Sequence, residues 1–234
     1  MGLGKTRFLK EVIGNRTHNQ YLQMNCKPYE QSLSFQSLVT MLRRQVPPET
    51  WLKLGRCWAE SLSGILPEIV FMRSDLDKKS DFRSPPYKPS MLMEAIRQVF
   101  LQLASDAQLM IFVDNIQFAD RGTIKTILYL LQRYPFKRGQ AVLIAAGRKM
   151  EIKRFYPELV KMVDSSRHVV QMELSDLPPS AVRRMIDEGH GPGLHPITRR
   201  TILNAGKGNP FFIMEILRGM AENDHQELML HAHD

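Results

Sequence analysis

The sequence predicts an α/β fold, a parallel sheet with helical crossovers, followed by a small all-helical unit. Three observations predict it. Short apolar runs of strand length recur along the chain, helical patterns lie between them, and the strand-like runs stop after residue 174. Alternation of strands and helices gives a parallel sheet closed by crossovers.

Each element follows from its local pattern. Thr6–Ile13 opens the chain with helical spacing, and Tyr21–Cys26 reads as a strand. Phe35–Arg44 and Trp51–Leu66 read as helices divided by Pro47 and Pro48. Arg73–Pro89 is charged and contains Pro85, Pro86 and Pro89, which exclude a helix interior or a central strand, so it reads as an exposed loop. Met91–Ala104 is helical and leads into the strand Leu109–Asp114. Thr123–Arg133 separates that strand from Ala141–Gly147, and Ile152–Val163 separates the latter from a fourth strand, His168–Leu174. The runs at 109–114 and 141–147 are continuously apolar, as strands covered on both faces are. Beyond them, Leu177-Pro178-Pro179 starts a helix with Ser180 near its N-terminus. A Gly/Pro/His loop spans 189–196, and Thr198–Asn204 and Pro210–Met220 are helical. The expected organisation is an α/β core over 1–175, a helical unit over 176–225 and a tail over 226–234.

Composition narrows the function classes. Hydrophobic residues make up 43% of the 234-residue chain, enough for the core of one medium domain with a satellite. No apolar run approaches the roughly 18 residues of a membrane-spanning helix. The first residues lack the apolar stretch of a secretory signal. Cys26 and Cys57 give neither a disulfide framework nor a metal-ligand spacing, so a reducing, cytoplasmic location is expected and no membrane partner is.

The net charge of +8 is uneven: residues 121–154 hold nine Lys or Arg against one acid, Glu151, whereas 155–234 is net acidic. A basic block of this kind attracts nucleic acid or nucleotide phosphates, or is a solvated helix face. Aromatic residues do not interleave it as a single-strand platform requires, so nucleic-acid contact through 121–154 would rest on charge alone. His190, His195, His225, His231 and His233 fall in loops and the tail and read as solvated. Met91, Met93, Met214 and Met220 read as core filler. Arg43 and Arg44 read as a solvent-facing pair at a helix end.

Two motifs carry chemistry. Gly2-Leu3-Gly4-Lys5-Thr6 matches the last part of the phosphate-binding pattern G-x-x-x-x-G-K-S/T. Glycines let backbone N–H groups curl around phosphate oxygens, and the following helix offers its free N–H groups and the positive end of its dipole. Lys5 would reach the β- and γ-phosphates and the Thr6 hydroxyl would bind Mg²⁺. Phe8, Leu9 and Val12 would form the buried face of that helix. The first glycine of the pattern, and the strand that feeds the loop, would lie before Met1, so the chain is expected to begin part-way through the loop. The second motif, Leu109–Asp114, is an apolar strand ending in an acid, the form of a Walker B segment. A carboxylate at the end of a buried strand can hold Mg²⁺ through water. Asp120 either touches a switch region or caps the helix at Thr123–Arg133.

The wording around these motifs resembles STAND-type, AAA+-like ATPases, found in LuxR/MalT-type and SARP-type transcriptional regulators and beside cyclase and kinase domains. Gly2 to Leu9 resembles their G-I-G-K-T-R-L-L. Phe112 to Asp120 resembles L-D-D-L-Q-W-A-D, and Leu143 to Arg148 resembles L-L-G-T-Y-R. Leu174 to Pro178 looks like the turn into their lid, and Gly206 to Leu217 resembles E-G-N-P-F-F-L-E-E-L-L. The resemblance implies ATP and Mg²⁺ as ligands, bound by Gly2, Gly4, Lys5, Thr6 and Asp114 between core and lid. Arg148 would be a sensor residue near the γ-phosphate, and Pro210 would pack near the adenine. It places the loop-feeding strand in the sheet between 141–147 and 168–174. It also expects a second acid after Asp114, where this chain has Asn115. An amide takes no proton from water at neutral pH, which implies binding with slow hydrolysis. Such domains are switches whose sensor and output segments lie elsewhere, so ATP and ADP, self-association through the core, and separate output domains are the expected partners. A non-enzymatic nucleotide-binding or inert interaction module is the alternative.

Overall fold

The computed structural model describes residues 2–14, 20–76, 88–105, 107–133, 136, 139–190 and 194–231. These fall into two compact units. One spans 9–171, and the other combines the residues up to Phe8 with those from Met172 onward.

The first unit is built on three parallel strands, β1 (Gln20–Asn25), β2 (Leu109–Asp114) and β3 (Ala141–Ala145), in the order β1-β2-β3. The register runs Gln20 to Leu109 through Asn25 to Asp114 on one side of β2, and Leu109 to Ala141 through Val113 to Ala145 on the other. All six residues of β2 are buried, which is why it reads as an unbroken apolar run. Its side chains alternate between two cores. Leu109, Ile111 and Val113 join a large core, and Met110 and Phe112 pack with Leu9.

Helix α1 (Lys5–Gly14) contributes Leu9, Val12 and Ile13 to the smaller core, whereas Phe8, expected on the buried face, is 40% exposed. Between β1 and β2 lie a 3-10 turn (Pro28–Glu30), α2 (Gln36–Gln45), α3 (Pro48–Lys53), α4 (Arg56–Ser63), α5 (Ile69–Met72) and α6 (Pro89–Leu103). The single helix expected over Trp51–Leu66 is therefore split, with an extended residue, Gly55, ahead of α4 and a turn at Gly64–Pro67 ahead of α5. In α6, Leu92, Ala95, Ile96, Val99, Phe100 and Leu103 form one buried stripe at helical spacing, and burying each large member contributes about 1.5–3 kcal/mol. Pro89 opens this helix in the first turn, where its missing N–H costs nothing. Most of the loop expected over Arg73–Pro89 lies outside the described residues.

A second 3-10 turn (Ile116–Phe118) and α7 (Arg121–Leu131) connect β2 to β3, and α8 (Lys149–Phe155) and α9 (Pro157–Ser165) follow. The helix expected over Ile152–Val163 breaks at Tyr156, because the ring of Pro157 drives the preceding residue out of the helical region (φ −136°, ψ 60°).

The fourth strand expected over His168–Leu174 is absent. Residues 168–174 carry no regular structure, and Val170 is 89% exposed. A strand exists by its ladder, and among the described residues only β2 pairs with β3. Local β-propensity without a partner leaves the segment irregular and mostly exposed.

The second unit holds α10 (Pro179–His190), α11 (Pro196–Gly206) and α12 (Pro210–His231). Val182, Ile186, Ile202, Ile213 and Leu217 form its core, so the expected helical unit is present. Gly208 sits in a tight turn before α12. It sits at φ +79°, and a Cβ there would lie 2.5 Å from the Leu177 carbonyl oxygen. Its own carbonyl accepts from the Leu177 N–H at 2.7 Å, tying the entry of the unit to the turn before α12. Among the described residues no helix is long and apolar enough to cross a membrane.

Candidate functional site

In the first unit, the carboxyl ends of the three strands bring together Asn25, Asp114, Asn115 and the segment 146–148. Ligands of open parallel sheets bind at this end of the strands. Asp114 closes β2 and is 4% exposed. Its Oδ1 accepts the N–H of Asn115 at 2.9 Å, and its backbone carbonyl accepts the Cys26 N–H at 3.0 Å. Asn115 adopts the left-handed conformation (φ 55°, ψ 41°), which asparagine tolerates better than most residues. Its Nδ2 donates to Asn25 Oδ1 at 3.3 Å. The two residues singled out at 114 and 115 thus link the ends of β1 and β2.

The segment after β3 is stitched to the turn after β2. Ala146 N–H donates to the Val113 carbonyl at 2.8 Å, and Ile116 N–H donates to the Ala146 carbonyl at 3.0 Å. Gln117, 1% exposed, accepts the Arg148 N–H on its Oε1 at 3.2 Å, while its buried Nε2 has no partner. Gly147 is closed in, since a Cβ there would lie 2.7–2.9 Å from Ile152, Ile116 and Gln117. The guanidinium of Arg148 donates from Nη1 to Glu151 at 2.6 Å and lies 5.9 Å from the centre of the Phe118 ring. Arg148 thus follows β3, its guanidinium held by the carboxylate of Glu151.

Three neighbouring groups are structural. Asp120 caps α7: its Oδ1 accepts from the N–H groups of Gly122 and Thr123, and its Oδ2 accepts from the Thr123 hydroxyl at 2.5 Å. The Cys26 thiol is pushed up to about 12, mainly by burial, which removes it as a nucleophile. Tyr156 accepts from Gln31 at 3.2 Å and donates to the Ala119 carbonyl, and burial raises its phenol above the ordinary value.

The second unit contains Gly2, Gly4, Lys5, Thr6 and Pro210. Gly2 and Gly4 both have positive φ (82° and 84°), which a side chain would strain. Gly4 precedes the first residue of α1 and accepts the Phe8 N–H at 2.8 Å. The first turn of α1 holds no acid of its own. Gly2 packs on the turn before α12, where a Cβ would meet Phe211 Cβ at 2.4 Å and Asn209 Oδ1 at 3.0 Å. Asn209 caps α12 by accepting the Phe211 N–H at 3.0 Å, ahead of Pro210 as the first helical residue. Phe211 and Phe212 are each 53% exposed.

The first-unit set offers a carboxylate and a cation, and the second-unit set offers glycine backbone, a lysine and a hydroxyl at a helix start. Among the described residues no three or more His, Cys, Asp or Glu could form a metal cage by themselves. Mg²⁺ needs none, since it is usually held by one or two carboxylates with phosphates and water.

Sequence reasoning gave no role to Gln117 or Glu151. Gln117 lies within the segment Phe112 to Asp120, and Glu151 stands out as the single acid of residues 121–154. In the basic block, Arg133 stacks 3.6 Å over Tyr129 and Arg121 and Lys125 are exposed on α7, so part of that charge is a solvated helix face.

Comparison with protein-family models found no matching family, and searches of curated proteins and of solved structures also found no match. The class that the described residues define is an α/β fold with three parallel strands flanked by helices and a C-terminal helical region.

Proposed function

We propose that the chain is an ATP-binding switch module of the STAND-type, AAA+-like kind, with slow hydrolysis or none. The observation that carries the reading is Asp114, a nearly buried carboxylate at the carboxyl end of a fully buried parallel strand. In this reading Lys5 engages the β- and γ-phosphates, Gly2 and Gly4 supply backbone N–H groups, and Thr6 and Asp114 serve Mg²⁺. Bound Mg²⁺ neutralises phosphate charge. Arg148 senses the terminal phosphate and Pro210 packs near the base.

Asn115 favours binding over turnover. It stands where a water-polarising acid is expected, and its side chain donates to Asn25 instead. Sensor and output segments would lie elsewhere, and self-association through the core is part of the same proposal.

The test is equilibrium binding of a fluorescent ATP analogue with and without Mg²⁺. Lys5→Ala should abolish binding. Asp114→Asn should weaken Mg²⁺-dependent binding more than Mg²⁺-free binding, and unchanged affinity in both variants would remove the assignment.

A further inference from the structure

We propose that Glu151 is a positioning residue for Arg148: it competes with the terminal phosphate for the guanidinium and so sets how strongly the chain prefers a nucleoside triphosphate over a diphosphate. The inference rests on the Arg148 role proposed above.

The geometry separates a fixed backbone from a movable side chain. At 147–148 the main chain is pinned. Gln117 Oε1 accepts the Arg148 N–H, and the space beside Gly147 is filled by Ile116, Ile152 and Gln117. The guanidinium is not pinned in this way. Its ion pair with Glu151 spans one helical turn, and the two side chains keep 34% and 31% of their surface exposed. An approaching phosphate therefore meets an arginine already neutralised by a carboxylate. It gains the full charge-assisted contact only by drawing the guanidinium away or by sharing it.

Glu151 is the one acid among nine basic residues over 121–154, and its carboxylate accepts from Arg148 Nη1 at 2.6 Å. The plainer account is a first-turn acid that stabilises the start of α8 through the helix dipole. That account predicts a small change in stability and none in nucleotide preference.

The experiment measures affinities of the full chain for ADP and for a non-hydrolysable ATP analogue, with Mg²⁺ and at fixed low salt. Glu151→Gln should tighten the triphosphate about 5-fold relative to ADP, the factor matching about 1 kcal/mol for a partly exposed pair. Glu151→Asp keeps the charge at the helix start but shortens the reach, and should give a smaller gain of the same sign. Adding Arg148→Ala to Glu151→Gln should erase the gain. Equal changes for both nucleotides, no change, or a weakened triphosphate would each overturn the proposal while leaving the ATP-binding reading standing. Absence of binding by either nucleotide in the parent chain would overturn that reading and this inference with it.

Discussion

Replacing Asp120 by alanine separates a cap from a switch. Asp120 is 5% exposed and satisfies the N–H groups of Gly122 and Thr123 together with the Thr123 hydroxyl, itself fully buried. Losing an N-cap side chain costs about 1 kcal/mol. Leaving a buried hydroxyl without its acceptor adds about 1–3 kcal/mol. The sum is about 3 kcal/mol, which for a chain of this size lowers Tm by about 6–12 °C. Asp120→Asn keeps an Oδ1 acceptor for both N–H groups and is an equally good cap, so it should cost less than about 1 kcal/mol. The assay is urea and thermal denaturation of both variants followed by circular dichroism, beside nucleotide titration at a temperature where both are folded. If Asp120→Ala melts with the parent chain but loses nucleotide response, the residue belongs to a switch and the capping argument is wrong.

Two further outcomes follow from packing and charge. The Glu94 carboxyl is held down to about 2, first by Arg97 and also by Tyr129 and Gln98. Its folded value lies below the unfolded one, so its contribution is complete above about pH 4.5 and is lost as pH falls toward 2. A denaturation series across that window should show an acid-side loss on the order of 1 kcal/mol, screened because the pair is partly in water, and Glu94→Gln should flatten it. Gly208→Ala should destabilise the second unit by about 2–4 kcal/mol, combining left-handed strain with the 2.5 Å approach to the Leu177 carbonyl. Hydrogen exchange should show faster opening confined to α10–α12, and protection equal to the parent chain would refute it.

The legible parts of the fold were those whose local pattern and tertiary role agree. Leu109–Asp114 is buried on both faces, so its sequence is unbroken and its ends are sharp. The stripe of α6 is likewise visible because one face does all the packing. The pattern misled where a periodic run continued through a break. Trp51, Ala59 and Leu62 all join one core, although Gly55 turns the chain between them. The break at Tyr156 was readable from Pro157 by steric reasoning alone. The absence of the strand expected at 168–174 was not, because pairing is a property of two segments and the sequence shows one. The same limit applies to the site. The candidates Asp114, Asn115 and Arg148 stand out by motif wording, whereas Gln117 and Glu151 bond to Arg148 across a turn and a helix start that no spacing rule specifies.

Register gives Asp114 its particular meaning. Met110 and Phe112 face α1, and Leu109, Ile111 and Val113 face the large core. Two residues beyond Phe112, Asp114 belongs to the α1 face by the same alternation. A slip of one residue would turn its carboxylate into the large core, where an unpaired charge is costly. The pairing of Asn25 with Asp114 and of Val113 with Ala145 opposes that slip on both sides. Asn115 falls just past the ladder, in a left-handed turn, so it does not continue the alternation and its side chain runs sideways to Asn25. Adjacent in sequence, the two positions are different chemically. One is a strand-end carboxylate whose direction the sheet fixes, and the other is a turn residue whose direction its own backbone fixes. An acid placed at 115 would thus inherit the geometry of the turn, and any catalysis it restored would come from that position and not from a second copy of the Asp114 environment.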